Sequence, residues 1–392
     1  MKICIRRWFS RGAGVLVCLG VAAGLAAGAS GPHYVVTNDD TLYLNGVTFY
    51  TVGTNGGLTL QEQVQTGLSG IAGGYFAANR VVALDNETQE CVYASNALTG
   101  EIVGIDVSGL EVGGSAYGSP SDTGASNGVG LAVNSQYLYA SFTDFSTIGT
   151  FQVQPGCSLT FVSDVSVAGR QGGIISAMAI HGNMLIATYN DGSIESFNIA
   201  SGAPVSNGDR QNSTAYIKSQ GASYPNGVDI TQDGHFAIFG DTSMSTSVEV
   251  SDISSGKLTK TVAYDLGGTI NSSNIMLSPD ETLLYITNSQ GDRITAAFFN
   301  AGTGALASGC TSGKIRNYVS SWSYLVSLGM ETSTGTGEVL YVAEYGAASG
   351  IAMLQVTSAG GACSLAELST SPVADPNSPG LLSIGTFPPR GF

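Results

Sequence analysis

Side chains able to do chemistry are sparse in this chain, which carries three histidines, 14 basic and 29 acidic residues among 392. His181 and His235 have the side chain whose ordinary pKa suits a general base near neutrality. Both fall in or just after a turn between two short apolar runs, where a turn or edge role accounts for them, and His33 stands near the expected mature terminus. No Gly-x-Ser-x-Gly elbow joins a strand to a helix, and no phosphate loop or dinucleotide fingerprint occurs in a strand-then-helix setting. Asp39-Asp40 and Asn190-Asp191-Gly192 hint at calcium but lack further acidic ligands at the required spacing, so no metal and no cofactor are expected.

What remains is a scattered set placed where apolar runs begin or end: Asn127, Asn226, Asp241, Asn274, Asn288, Trp322, Tyr324 and Glu344. Gathered on one face, such groups would hydrogen-bond a small polar ligand, with Trp322 and Tyr324 as a stacking platform. The competing account is local: Asn and Asp end strands because their side chains bond the turn backbone, and an aromatic ring wedges between sheets. Glu344 or Asp241 would act as a base only if burial raised its pKa toward neutrality.

These residues need strands to position them. No convincing amphipathic helix follows residue 30, and short apolar runs recur between Gly, Asn, Asp and Ser clusters, so the chain reads as all-β. The clearest unit opens with Asn274-Ile275-Met276-Leu277-Ser278, turns at Pro279-Asp280-Glu281 and continues as Leu283 to Asn288. Ile294 to Phe299 and a weaker strand after Gly302-Thr303-Gly304 complete a four-stranded antiparallel meander. Matching starts at Asn226, Ser273 and Tyr324 lie 47 and 51 residues apart, and Asn127 to Asn226 spans 99, two such periods. Weaker copies start near Arg80 and Ser176. A period near fifty in an all-β chain predicts propeller blades.

The two ends set the number of blades. Tyr34 to Asn38, Val47 to Val52 and Leu58 to Val64 supply a second, third and fourth strand with no first strand before them. Gly380-Leu381-Leu382-Ser383-Ile384 is an orphan first strand at the other end. Joined, they close the ring and remove its exposed edges. With six internal copies the expectation is a seven-bladed β-propeller, four antiparallel strands per blade, spanning residues 30–392 as a single domain.

Residues 1–29 are expected to be a removed signal peptide: a basic start, an apolar core from Gly12 to Leu25, and the small-residue pattern Ala27-Gly28-Ala29. Arg6-Arg7 partly matches a twin-arginine signal but lacks the usual Ser or Thr before the pair. The mature chain would lose Lys2, Arg6, Arg7 and Arg11; 14 basic residues less these four leave 10 against 29 acidic ones, a net charge of −19. Such a polyanion is a poor partner for nucleic acid or anionic lipid, and no membrane span is expected after processing. Cys91, Cys157, Cys310 and Cys363 remain in an exported, periplasmic or extracellular chain, an even set that favours disulfides. Pairing neighbours in the repeat order joins Cys91 to Cys157 and Cys310 to Cys363.

Ser278-Pro279-Asp280, Leu284-Tyr285-Ile286-Thr287-Asn288 and Gly302-Thr303-Gly304-Ala305-Leu306 resemble the repeat of the seven-bladed YVTN and lactonase-type propellers, a group that includes 6-phosphogluconolactonase and the fungal muconate-lactonizing enzyme. The resemblance implies a lactone hydrolase or isomerase. In the lactonase branch a Pro-Arg-His stretch resembles the position held here by Pro225-Asn226-Gly227, where the Arg and His are absent. That family also tends to carry a Glu just after the Asn ending the second strand; here Asn288 is followed by Ser289, and Glu344 stands one place early. No catalytic residue carries over. The expectation is therefore a binding or scaffold module that uses its central-channel face for a small polar molecule or a protein, with a lactone hydrolase or isomerase of non-standard site as the alternative.

Overall fold

The second strand of each repeat carries a run of consecutive apolar residues at its centre, and that fixes where it sits. In Leu283–Asn288, Met184–Tyr189 and Tyr137–Phe142 nearly every residue is buried, so both faces of the strand are covered. The fourth strands behave differently: Leu159–Ser166 alternates buried or half-buried with exposed residues, as an outer strand with one wet face does. This gradient from dry to wet is the signature of radial sheets standing side by side.

The computed structural model describes residues 33–70, 79–86, 88–117, 130–142, 146–167, 174–213, 225–241, 248–266, 272–288, 291–316, 323–335, 337–346, 350–376 and 383–389. Residues 33–392 form one compact unit. The strands build seven sheets. Blade 1 consists of Val81–Asn86, Gln89–Asn96, Glu101–Asp106 and Glu111–Tyr117. Blade 2 consists of Leu131–Val133, Tyr137–Phe142, Thr147–Val153 and Leu159–Ser166. In blade 3, Ile175–His181, Met184–Tyr189 and Ser193–Asn198 are followed by a broken fourth strand, Val205–Ser206 and Gln211–Asn212. Blade 4 holds Pro225–Ile230, Phe236–Asp241, Val248–Asp252 and Thr259–Tyr264. Blade 5 holds Ser272–Leu277, Leu283–Asn288, Ile294–Asn300 and Ala305–Thr311. Blade 6 is built from the longer Ser323–Thr334, Gly337–Gly346 and Gly350–Ala359, with Ala362–Glu367 and the short Val373–Ala374 both on its third strand.

Blade 7 is the composite expected from the sequence. Its first strand is Ser383–Phe387, three residues later than Gly380–Ile384, and it pairs antiparallel with Tyr34–Asn38. Gly46–Val52 and Leu58–Gln65 complete the sheet. The first strands touch one another in succession around the ring, blade 7 meeting both blade 6 and blade 1.

Seven apolar clusters fill the seven interfaces between blades, so the core is a ring of wedges. Between blades 5 and 6, Tyr285, Ile294 and Ile315 pack on Leu340, Val342 and Ala352. Between blades 6 and 7, Tyr341 and Ile351 pack on Val35, Tyr50 and Ile384. The other five interfaces repeat the scheme. Tyrosines in second strands reach the next blade: Tyr139 donates to the carbonyl of Gly202, and Tyr341 to that of Gly56. The glycines sit at φ +89° and +76°, a conformation open to a residue without Cβ.

Two disulfides tie neighbouring blades, and both pairings agree with the sequence expectation. Cys91–Cys157 joins the second strand of blade 1 to a turn of blade 2, and Cys310–Cys363 joins the fourth strands of blades 5 and 6. Among the described residues no helix is long and apolar enough to cross a membrane.

Candidate functional site

One end of the ring carries the loops that enter each first strand and the turns that join second to third strands; this is the channel face. Pro225 and Asp241 are Cα partners there, so Asn226 and Asp241 share the end of blade 4. A Cβ on Gly227 would lie 2.9 Å from the Ile275 nitrogen and 3.1 Å from the Asn274 Cα. The missing side chain thus lets the innermost strand of blade 4 close against that of blade 5. Asn274 is locked in place: its Oδ1 accepts from the Ile275 N–H at 2.7 Å, and its own N–H donates to Thr287 Oγ1 at 2.7 Å. Asn288 lies opposite Ser272 in the same blade.

The fold therefore brings together Asn226, Asp241, Asn274 and Asn288 on blades 4 and 5. Asp241 is fully buried and Asn274 nearly so, whereas Asn226 and Asn288 are half-buried and keep solvent access. The two members of this group that keep solvent access are amides, which both donate and accept. The turn-bonding account of such residues holds at Asn38, whose Oδ1 accepts from the Asp40 N–H at 3.2 Å, whereas Asn190 Oδ1 accepts at 2.9 Å from the N–H of Ile174, sixteen residues earlier, at the entry to the first strand.

Glu344 is set apart from this group, on blade 6. It lies opposite Leu325 on one side and Gly350 on the other. Strand alternation places it on the side of Leu340 and Val342, the side packed against blade 5. The side chain is fully buried and neither carboxyl oxygen has a hydrogen-bond partner. Burial first, and the negative charge of Glu367 second, push its pKa up to about 8. Glu367 itself is held by Arg316 Nε at 3.2 Å and by the Ser371 hydroxyl at 2.7 Å. With its pKa raised in this way Glu344 keeps its proton at neutral pH and can donate as well as accept; in alkaline solution it is an acceptor only.

A second polar centre on this face escaped the sequence reading. Arg80, just ahead of the first strand of blade 1, pairs with Asp40 at 2.8 Å, the two side chains being 1% and 0% exposed. Its backbone N–H donates to Ser383 Oγ at 3.0 Å, and its carbonyl accepts from Asn38 Nδ2 at 3.1 Å, so the pair is welded to the closing blade. Next to it, the Thr37 hydroxyl lies 3.0 Å from Asp39 Oδ1 and 3.2 Å from Asp375 Oδ2. Burial and the Asp375 charge raise the Asp39 pKa to about 6, against hydrogen bonds from Gln63, Thr48 and Thr37 that pull it down. The sequence signals were Asp39-Asp40 and Arg80 themselves, but nothing local marks them as neighbours across 40 residues.

The remaining expectations divide plainly. Asn127 and Trp322 lie outside the described residues, and for Tyr324 the strand position alone is described, opposite Tyr345. His181 ends the first strand of blade 3, and His235 lies in the first turn of blade 4 beside Asp233 at 3.0 Å, both on the end opposite the channel face. Among the described residues no three His, Cys, Asp or Glu side chains gather as a metal site.

A family model described as "Lactonase, 7-bladed beta-propeller" matches residues 92–377. The chain belongs to this family. Among solved structures, a protein of Bacteroides fragilis provisionally named a 6-phosphogluconolactonase is 16% identical, with 91% of this chain and 98% of that one covered and a TM-score of 0.67. The periplasmic gluconolactonase of Pseudomonas aeruginosa is 15% identical over 91% of this chain and 99% of its own, TM-score 0.64. A functionally unknown protein of Desulfotomaculum acetoxidans is 13% identical over 89% and 99%, TM-score 0.64. At such identities the likeness concerns the fold. No curated protein matches. As a lactonase-family propeller, the chain lacks the Arg and His of the branch motif at Pro225-Asn226-Gly227, and the structure puts no described histidine on the channel face in their place.

Proposed function

We propose that this lactonase-family propeller is an exported binding module whose channel face takes a small neutral polar molecule of the sugar-lactone class. The observation that carries the proposal is the amide group at blades 4 and 5: Asn226 and Asn288 with solvent access, Asn274 fixed beside them, and Gly227 bringing the two inner strands into contact. Amides recognise hydroxyl and carbonyl oxygens without imposing charge, and a body with formal charge −15 disfavours phosphorylated ligands. Export is supported by the signal-like first thirty residues, by two disulfides, and by the periplasmic setting named for the Pseudomonas neighbour.

A second reading, hydrolysis of the lactone, is favoured by Glu344. A buried carboxyl without partners costs stability unless it serves a purpose, and its raised pKa suits proton donation to a leaving ring oxygen. Its burial beneath the face argues for binding first.

Titration calorimetry of the mature protein against neutral sugar lactones tests both. Saturable heat that is weakened in Asn226→Ala, with no acid released, supports the binding module. Acid release above the spontaneous rate that disappears in Glu344→Gln replaces it with the hydrolase. Neither heat nor release across the panel removes both.

A further inference from the structure

The turn between the second and third strands of blade 7 exposes three consecutive apolar side chains, Leu42, Tyr43 and Leu44, at 37%, 81% and 64%. Leu98, at 38%, stands in the corresponding turn of blade 1. A run of this kind is disfavoured on a soluble surface unless something covers it.

Its base is rigid. Asn45 is fully buried and its Nδ2 donates to Asn38 Oδ1 and Asn96 Oδ1, each at 2.9 Å, while its Oδ1 accepts from the Thr41 N–H at 3.1 Å. The Thr41 carbonyl accepts from Gly70 at 2.7 Å, and the Ser69 carbonyl from Leu98 at 3.2 Å, which binds the two turns through the segment between them. Beneath lies the buried Arg80–Asp40 pair. The tip is therefore held out by a built support and does not fold back onto the protein.

Size and charge narrow the occupant. Four side chains expose a few hundred square ångströms at most, well short of the ~800 Å² per partner that a stable protein interface buries. Residues 41–45, 66–70 and 96–100 contain no Asp, Glu, Lys or Arg, on a chain of net charge −15. A protruding Leu-Tyr-Leu tip on a charge-free plateau suits shallow insertion between headgroups, where leucines enter the acyl boundary and the tyrosine ring stays at the polar interface. We propose that the Leu42–Tyr43–Leu44 tip, with Leu98 beside it, seats the protein peripherally on an electrically neutral lipid surface. The acidic body selects against anionic surfaces, and the tip stands on the same end of the ring as the channel face.

Co-sedimentation with phosphatidylcholine vesicles tests the proposal on the mature protein. Wild type should partition onto the vesicles, and Tyr43→Ser with Leu44→Ser should lower the partition coefficient at least about tenfold, the loss expected when two inserted apolar side chains are removed. Val262→Ser, an exposed apolar residue (49%) on the outer strand of blade 4, should leave it unchanged. Thermal melting checks that the variants fold, which their exposed positions allow. Absence of wild-type binding, equal loss in Val262→Ser, or tighter binding to phosphatidylglycerol vesicles at low salt overturns the proposal. A Tyr43-dependent dimer in light scattering overturns it in favour of a second copy of the chain.

Discussion

The Tyr341 hydroxyl of blade 6 donates to the Gly56 carbonyl of blade 7 at 2.9 Å, across an interface where both groups are buried. Tyr139 does the same for Gly202 one interface after blade 2, at 2.7 Å. At these two interfaces the second-strand tyrosine ties one blade to the outer turn of the next, whereas the buried hydroxyls of Tyr93 and Tyr285, at the equivalent position in blades 1 and 5, have no hydrogen-bond partner. Removing the hydroxyl of Tyr341 or Tyr139 leaves a desolvated carbonyl. Tyr341→Phe and Tyr139→Phe should each lower unfolding free energy by about 1 kcal/mol, the net worth of one buried hydrogen bond, read as a shift in urea midpoint with unchanged slope.

The Arg80–Asp40 pair is a stronger tie, because each partner alone would be a buried charge. Arg80→Met should cost about 3–5 kcal/mol. Combining it with Asp40→Asn should cost less than the two single changes added together. Strict additivity in the cycle would show that the pair is not coupled.

Glu344 makes stability fall with rising pH. Its ordinary value of 4.5 is raised to about 8 in the fold, so the folded protein holds a proton that the unfolded chain releases. The stability linked to that proton is complete below pH 4.5, declines between 4.5 and 8, and is gone above. Asp39 adds the same sign between 3.8 and 6. The drop due to Glu344 is a few kcal/mol. Glu344→Gln should be more resistant to urea than wild type in alkaline buffer and should lose that advantage in acid; parallel pH curves for the two proteins would contradict this.

Blade 2 is pressed onto blade 1 at its outer turn. A Cβ on Gly104 would fall 1.8 Å from the Cys157 carbonyl oxygen, and one on Gly113 equally close to that of Gly156. Backbone cannot yield as a side-chain tip can, so Gly104→Ala and Gly113→Ala should each destabilise by about 1–3 kcal/mol or more. The melting temperature, measured with the Cys91–Cys157 bond intact, is the readout.

What could be read from the chain alone was whatever depends on local pattern. Leu284-Tyr285-Ile286 announces a strand dry on both sides, Ser278-Pro279-Asp280 a turn, and Gly380 to Ile384 a strand without a partner. Cysteine pairing followed once the repeats were ordered. The site was less legible because burial of polar groups is set by contacts between blades. Asp39-Asp40 resembled a partial calcium loop, yet one carboxylate meets Arg80 and the other shares the Thr37 hydroxyl with Asp375, more than three hundred positions away. Asn226 and Glu344 were singled out for the same reason, a polar residue at a strand end, and differ in accessibility only because of what packs above them.

Asn38 meets Ser383 across the closing sheet, and 345 residues separate them in the chain. During synthesis the three strands that emerge first must wait, their inner edge bare, until almost everything else has left the ribosome. An edge so long exposed invites pairing with a neighbouring nascent chain. Secretion before compaction would shorten that hazard, and a helper that shields Tyr34–Asn38 until the tail arrives would remove it.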